Sequence, residues 1–409
     1  MRGILHKNKH FFNFFKKLIL IIRYLKSIHK KSVIENIIST RSTFEIVDKS
    51  MHCFYGYYNK NIFSFNDENV IYHKVPIKNS QKSEALIILY NLKTKKEKII
   101  SITNAWNWQQ GSMLEWLNNS NDEFIFNNYD DKLGYFSEKH NHMTGVKEIF
   151  NLPFYCINYD NSRFLSLNFE RLQILAPGYG YPIKSKDLDL FEDGVWEYDL
   201  IKKSYKRLFT LIELLKYLAL ENIINSNSCY VNHLEYIPET NDFIFIFRTI
   251  NKEGLFYSRL LKFNRESNSF DLLIDSGHVS HFCWYSTNIL FIYTTDYTGL
   301  KTYFYLNIIT KEMSKYDGDS MNEDGHPSFN IDKKLIVNDT YPSHSRNQTL
   351  YLYDKVLNER FLIDEFHSPI KYFDENRCDL HPRWNSKSDT IAIDTTYTGK
   401  RTMKFYKLF

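Results

Sequence analysis

Four histidines occupy the same place in four successive copies of one phrase: His233, His281, His326 and His381 each stand three residues ahead of an aromatic, Tyr236, Trp284, Phe329 and Trp384. Imidazole is a common nitrogen ligand for metals and the side chain that titrates nearest neutrality. A set of imidazoles gathered at one point is therefore a metal site or an acid–base site. Asp324 and Asp379 precede His326 and His381 by two residues, where a carboxylate either ligates a cation or accepts a proton from an imidazole N–H. Arg171, Arg248, Arg377 and Arg383 lie at or near the ends of the same phrases, and a guanidinium fork recognises carboxylate or phosphate. Trp106, Trp108, Gln109, Gln110 and Tyr181 add flat apolar surfaces and amides suited to a sugar ring. One such histidine is more often a structural hydrogen-bonding group. Four in register point to a shared site. The pair His140-x-His142 and the remaining histidines show no register and read as local or surface residues.

The phrase that carries these residues is an aromatic-bearing strand start, a polar turn, then an apolar strand. It recurs at 111–129, 155–169, 232–248, 280–296, 325–341 and 380–397, with a fainter copy from Phe54. The anchoring aromatics Trp116, Tyr159, Tyr236, Trp284, Phe329 and Trp384 are 43, 77, 48, 45 and 55 residues apart. Periods of roughly 40 to 50 residues are those of four-stranded propeller blades, so the seven copies predict an all-β, seven-bladed β-propeller. Pieces such as EALIILYNLKTKKEKII and QTLYLYDKVLNERFLI read as the outer hairpin of a blade. The 77-residue interval requires an insertion, and the Leu and Ile spacing of 210–224 predicts a helix within about 208–226. Equivalent positions in successive blades share a height and radius, so the four imidazoles are expected to face one another at the mouth of the central channel.

Of the 409 residues, 43% are hydrophobic and 17% aromatic, which excludes a disordered or low-complexity chain. Residues 1–31 hold nine Lys and Arg and no acid, leaving 43 bases against 48 acids in the remainder. That mildly acidic body lacks the basic stripe a nucleic-acid surface needs. Five scattered cysteines without a C-x-x-C pair suggest neither a disulfide framework nor a thiolate zinc site. The segment 1–45 reads as a separate, helical amino-terminal piece before a propeller at 46–409. Its basic and aromatic character fits either a helix packed on the propeller or one in peripheral contact with a membrane through residues 1–31. With no export signal legible, the expected location is the cytoplasm or the inner face of the cytoplasmic membrane.

The phrases SHFCW, DGHPSF and RCDLHPRW, with the distal IAIDTTYTGKR, resemble those of the oligogalacturonate-lyase-like group of seven-bladed propellers, itself similar to the TolB-type repeat. The segments WQQGSM, LNFERL, PGYGYP, NHL and DGHPS are similar to those expected in propeller proteins of bacterial surface-polysaccharide loci. The resemblance spans most of residues 100–409. It implies a lyase in which His233 is the general base and His281 and His381 hold a divalent, manganese-like ion; from their own positions in the repeats, His326 and Asp379 are added as candidate ligands and Arg171 and Arg248 as candidate catalytic arginines. Trp108, Gln109, Gln110, Tyr181 and Arg383 would contact an oligo- or polysaccharide substrate. Two positions depart from the family pattern: Asp379 stands where a ligating histidine is expected and Asn376 where a glutamine is expected. A lyase of uronate-containing glycans is the leading expectation. A glycosyltransferase of surface-polysaccharide synthesis and a non-catalytic glycan-binding propeller are the alternatives.

Overall fold

The computed structural model describes residues 9–27, 36–37, 40, 42–78, 83–184, 188–222, 225, 227–318 and 321–408. Seven antiparallel sheets are arranged in chain order, each of four strands apart from a fifth strand added to the sixth. They are the predicted seven blades. The sequence pieces read as outer hairpins form them, for instance Ala85–Asn91 with Glu97–Thr103 and Asn347–Asp354 with Glu359–His367.

Closure of the ring corrects the domain boundary drawn at residue 45. Strand Ser42–Ile46 pairs antiparallel with Thr402–Lys407 and supplies the outermost strand of the seventh blade. Asn36–Ile37 adds in parallel to the outer edge of the sixth. Joining the two ends of the chain in one sheet removes the open edge that a linear array of blades would leave.

Each blade is sandwiched between two others, and this sets the burial pattern. In strand Phe243–Ile250, the residues Phe243, Ile244, Phe245, Ile246 and Phe247 are all fully buried, so both faces are apolar rather than alternating. The third blade holds the long interval's extra residues in two places. Helix α1 spans Lys9–Ser27 at the amino terminus, α2 spans Phe169–Leu175 and α3 spans Leu211–Tyr217. Helix α3 lies inside the predicted insertion and begins directly after a strand ending at Thr210, where Thr210 and Glu213 form a capping box. Helix α2 was not anticipated: LNFERL reads as a strand end, yet Asn168 caps a helix by accepting from the N–H groups of Glu170 and Arg171. Tyr159, an expected anchor of its blade, is 48% exposed in a turn, and Cys156 of the strand before it is buried instead.

Helix α1 packs beside the sixth and seventh blades through Lys16 to Asp374 (3.5 Å) and Tyr24 against the His367 ring (5.9 Å). Leu18, Ile22 and Leu25 form an exposed apolar stripe on it. Residues 1–8 and 28–31 of the segment assigned to membrane contact lie outside the described residues. No helix among the described residues is long and apolar enough to cross a membrane.

Candidate functional site

The four phrase histidines come together. The ring centroids of His233 and His281 are 5.6 Å apart, those of His281 and His326 4.1 Å, and those of His326 and His381 4.3 Å. The local cause is a break in strand pairing. His233 and His381 adopt left-handed backbone conformations, with φ of 51° and 48°, and register shifts interrupt Asn232–Glu235 and Val279–Phe282. A bulge of this kind re-aims one side chain out of the ladder, and histidine tolerates positive φ better than most residues. The expectation of an open channel mouth is corrected: each imidazole is at most 5% exposed. Tyr57, Tyr58 and Tyr341 pack against the cluster.

Hydrogen bonds fix how the imidazoles point. His326 Nδ1 donates to the buried Asp339 carboxylate at 2.8 Å, and His381 Nδ1 donates to the Gly56 carbonyl at 2.6 Å. Their Nε2 atoms are both buried and have no partner among the described residues. With Nδ1 as the donor, the neutral ring presents a lone pair at Nε2, which is how an outer layer of acceptors prepares a histidine for a metal; a cation bound at His326 would displace the second proton that Asp339 favours there. His326, Asp379 and His381 offer three ligand atoms within 4.8 Å of one another. Two imidazole nitrogens and one carboxylate oxygen suit Mn, Fe or Zn, so these residues fit a divalent ion. Of the four predicted ligands, His281 stands one step aside. Its ring contacts His326, and its Nδ1 faces Asp324 at 3.3 Å. Arg377 grips Asp379 through two bonds from Nε (2.8 and 2.9 Å) and lies over the Tyr341 ring.

The charges of the cluster are coupled. Burial, then the neighbouring His281 and Arg248, hold His233 well below the ordinary imidazole value. Burial, then His326 and Arg383, do the same to His381. Burial also opposes the charged form of His326, but Asp339, with help from Asp379 and Asp324, outweighs it and raises that histidine. For Asp379 burial is outweighed by Arg377 and His326, so the carboxylate is held low. The cluster is poised with neutral His233 and His381 and an ionised Asp379.

The segment that fills the channel was not legible as functional. Residues Tyr55–Ile62, between strands Met51–Phe54 and Asn69–Pro76, leave the sheet and run among the inner strands. The Tyr57 hydroxyl lies 3.1 Å from His233 Nδ1. Tyr58 donates to the Phe282 carbonyl at 2.7 Å, Asn59 reaches Glu235, and Lys60 pairs with Glu115 at 2.8 Å. Gly56 is required here: at φ 129° it lies so close to the Gln110 backbone that a Cβ would approach to 2.7 Å. The signal available in the sequence was the faintness of this first copy.

Glu235, in this channel cluster, is pushed up to about 7, first by burial and then by the Glu115 charge against the opposing Asn59 and Lys60. A carboxyl raised in the folded state binds a proton that the unfolded chain releases near pH 4.3. Stability should therefore fall as pH rises from about 5 to about 7 and level off above that, with a loss on the order of 2 kcal/mol. Glu235→Gln should flatten this slope in urea midpoints measured at pH 5 and pH 8. An unchanged slope would show that another group carries it.

Other predicted residues have structural work. Arg171 is not delivered to the histidines: its guanidinium is paired with Asp193 and donates to the Cys229 carbonyl at 3.1 Å, tying α2 to the fourth blade. Arg383 is buried and donates to the carbonyls of Gly56 and Tyr57 (2.9 Å for the latter) and to Asp394, so it clamps the channel segment rather than meeting substrate. Tyr181 is buried, its hydroxyl accepting from Asn127 at 2.8 Å. Gln109 donates to the Arg377 carbonyl at 2.8 Å, and Gln110 contacts the Tyr155 hydroxyl at 3.4 Å. Trp108 does line an open cleft of about 790 Å³, together with Trp106, Asn107, Gly178, Glu375 and Asn376. Arg248 is near enough for its charge to act on both His233 and His281.

The fold has counterparts among solved structures. An oligogalacturonate lyase in complex with manganese superposes with a TM-score of 0.65 at 12% identity, over 91% of this chain and 98% of that one. An oligogalacturonate lyase from Vibrio parahaemolyticus gives 0.62 at 12% identity over the same shares. At this identity the likeness establishes the fold, a seven-bladed propeller, and not the reaction. No protein-family model and no curated protein matches the sequence.

Proposed function

We propose that this protein is a metal-assisted β-eliminating lyase acting on uronate-containing oligosaccharides. The observation that carries the reading is the pair of partnerless Nε2 atoms on His326 and His381 beside Asp379, with His233 in the same ring of imidazoles. The fold shared with oligogalacturonate lyases, one of them in complex with manganese, supports it. A divalent ion held by His326, Asp379 and His381 would supply positive charge to the uronate carboxylate. His233, kept neutral by burial, takes the C5 proton. The C5–H electron pair is taken up by the uronate carboxylate as an enolate and then forms the C4=C5 double bond as the C4–O bond breaks, and the departing oxygen takes its proton from solvent. Arg248 adds positive charge where the enolate develops. Tyr57 orients the base through its hydroxyl. The cleft with Trp106 and Trp108 offers stacking surfaces for further sugar units.

The test is incubation of the manganese-supplemented protein with galacturonate- and glucuronate-containing oligosaccharides. Unsaturated products, seen by ultraviolet absorbance and mass, are expected. Failure to form them from every uronate offered, by folded and metal-loaded protein, would overturn the reading.

A further inference from the structure

A second cavity, of about 620 Å³, lies between α1 and the loops of the sixth and seventh blades. Its wall carries Lys16 and Arg23 from the helix, and Arg346 and Arg377 from the loops, against the single carboxylate Asp374. Asp374 is engaged by Lys16 at 3.5 Å, and Arg377 is engaged by Asp379. Four cations against these two acids leave a surplus of two positive charges. Arg346 is 4% exposed; its Nε and Nη2 are held by the carbonyls of Ser368 (2.9 Å) and Tyr372 (2.7 Å), while no partner engages its Nη1 among the described residues. Burial, and then the charge of Arg377, push against the charged form of Arg346. Arg23 makes no ion pair among the described residues, although its helix contributes apolar Ile19 and Leu20 to the same wall.

Unpaired guanidiniums crowded around one cavity call for an anion, and a surplus of two charges matches a phosphoryl dianion better than a single carboxylate. We propose that the amino-terminal helix completes a phosphoryl-binding site at the sixth and seventh blades, sharing Arg377 with the metal-ligand cluster. The site does not depend on the reaction proposed above. It takes the phosphate or diphosphate of a ligand whose remainder rests on Tyr341 and the apolar side of α1. The phosphate comes either from a soluble phosphorylated compound or from a lipid headgroup, the latter with the exposed stripe Leu18, Ile22 and Leu25 in the bilayer.

The experiment is calorimetric titration of inorganic pyrophosphate into the full chain. One saturable site per chain is expected, weakened about fivefold or more in Arg23→Gln and unchanged in the distant control Lys203→Gln. Acetate, a single carboxylate, should bind more weakly than pyrophosphate. Absent binding, equal affinity in Arg23→Gln and wild type, or acetate binding as tightly as pyrophosphate would each overturn the proposal. Arg23 is exposed on the helix surface, so its replacement leaves the propeller intact, and a melting curve checks this. Flotation with phosphatidylglycerol vesicles identifies the source. With pyrophosphate binding retained, flotation lost in Leu18→Ser/Ile22→Ser assigns the site to a headgroup, and no flotation of the wild type assigns it to a soluble phosphate.

Discussion

Metal analysis of the purified full chain is expected to give about one divalent ion per molecule, falling below about a tenth of that in His381→Ala and in Asp379→Ala. Each substitution removes one of the three donors that, among the described residues, lie within 4.8 Å of one another. His281→Ala discriminates further. An ion retained in that variant places His281 outside the coordination sphere, as its pairing with Asp324 suggests, whereas loss makes it a fourth ligand. Asp339→Asn leaves every donor in place but weakens the acceptor that turns His326 Nε2 inward, and should lower affinity about 10- to 100-fold. Each variant trims a buried but compact side chain, so melting curves should still show a cooperative transition. No ion in folded wild-type protein after manganese addition, or a full complement in Asp379→Ala, would remove the metal from the account and leave His233 with the arginines.

Replacing His233 tests the base separately. His233→Ala should lower kcat on a uronate substrate by about 100- to 10,000-fold, with KM and metal content nearly unchanged. Its pH signature follows from its surroundings. The base works in its neutral form, so activity is lost as pH falls through its pKa. Burial and the charges of His281 and Arg248 hold that value well below 6.5, and the acid limb of kcat/KM should lie correspondingly low. Tyr57→Phe, removing the hydroxyl 3.1 Å from Nδ1, should shift that limb and lower kcat without changing metal content, as befits a positioning residue. A His233→Ala enzyme with wild-type kcat would exclude His233 as the base.

The blade count was readable because every blade must repeat the same pattern of aromatic start, polar turn and apolar strand to pack on its neighbours. The same repetition made the histidine cluster readable: positions in register along the chain become neighbours around the axis, and His233, His281, His326 and His381 accordingly lie in ring contact. The arginines show where this logic stops. Arg171, Arg248 and Arg383 look alike in sequence, yet Arg171 serves Asp193, Arg383 clamps Gly56 and Tyr57, and Arg248 bears on the histidines. Which carboxylate or carbonyl meets a guanidinium is a contact between residues far apart in the chain.

The channel segment Tyr55–Ile62 was hidden for the opposite reason. It departs from the repeat and stands in the sequence only as a poor copy, although Tyr57 and Lys60 reach the inner strands of other blades. The amino-terminal 45 residues likewise carried no sign that Ser42–Ile46 closes the last blade, because a five-residue edge strand has no periodicity of its own. Sequence alone determined the repeat, hence the propeller and the ring of imidazoles. Tertiary structure decided their Nδ1 acceptors, the companionship of Asp379 with His326 and His381, and the meeting of α1 with the blade loops. Those are long-range pairings, set by packing geometry rather than by any local pattern.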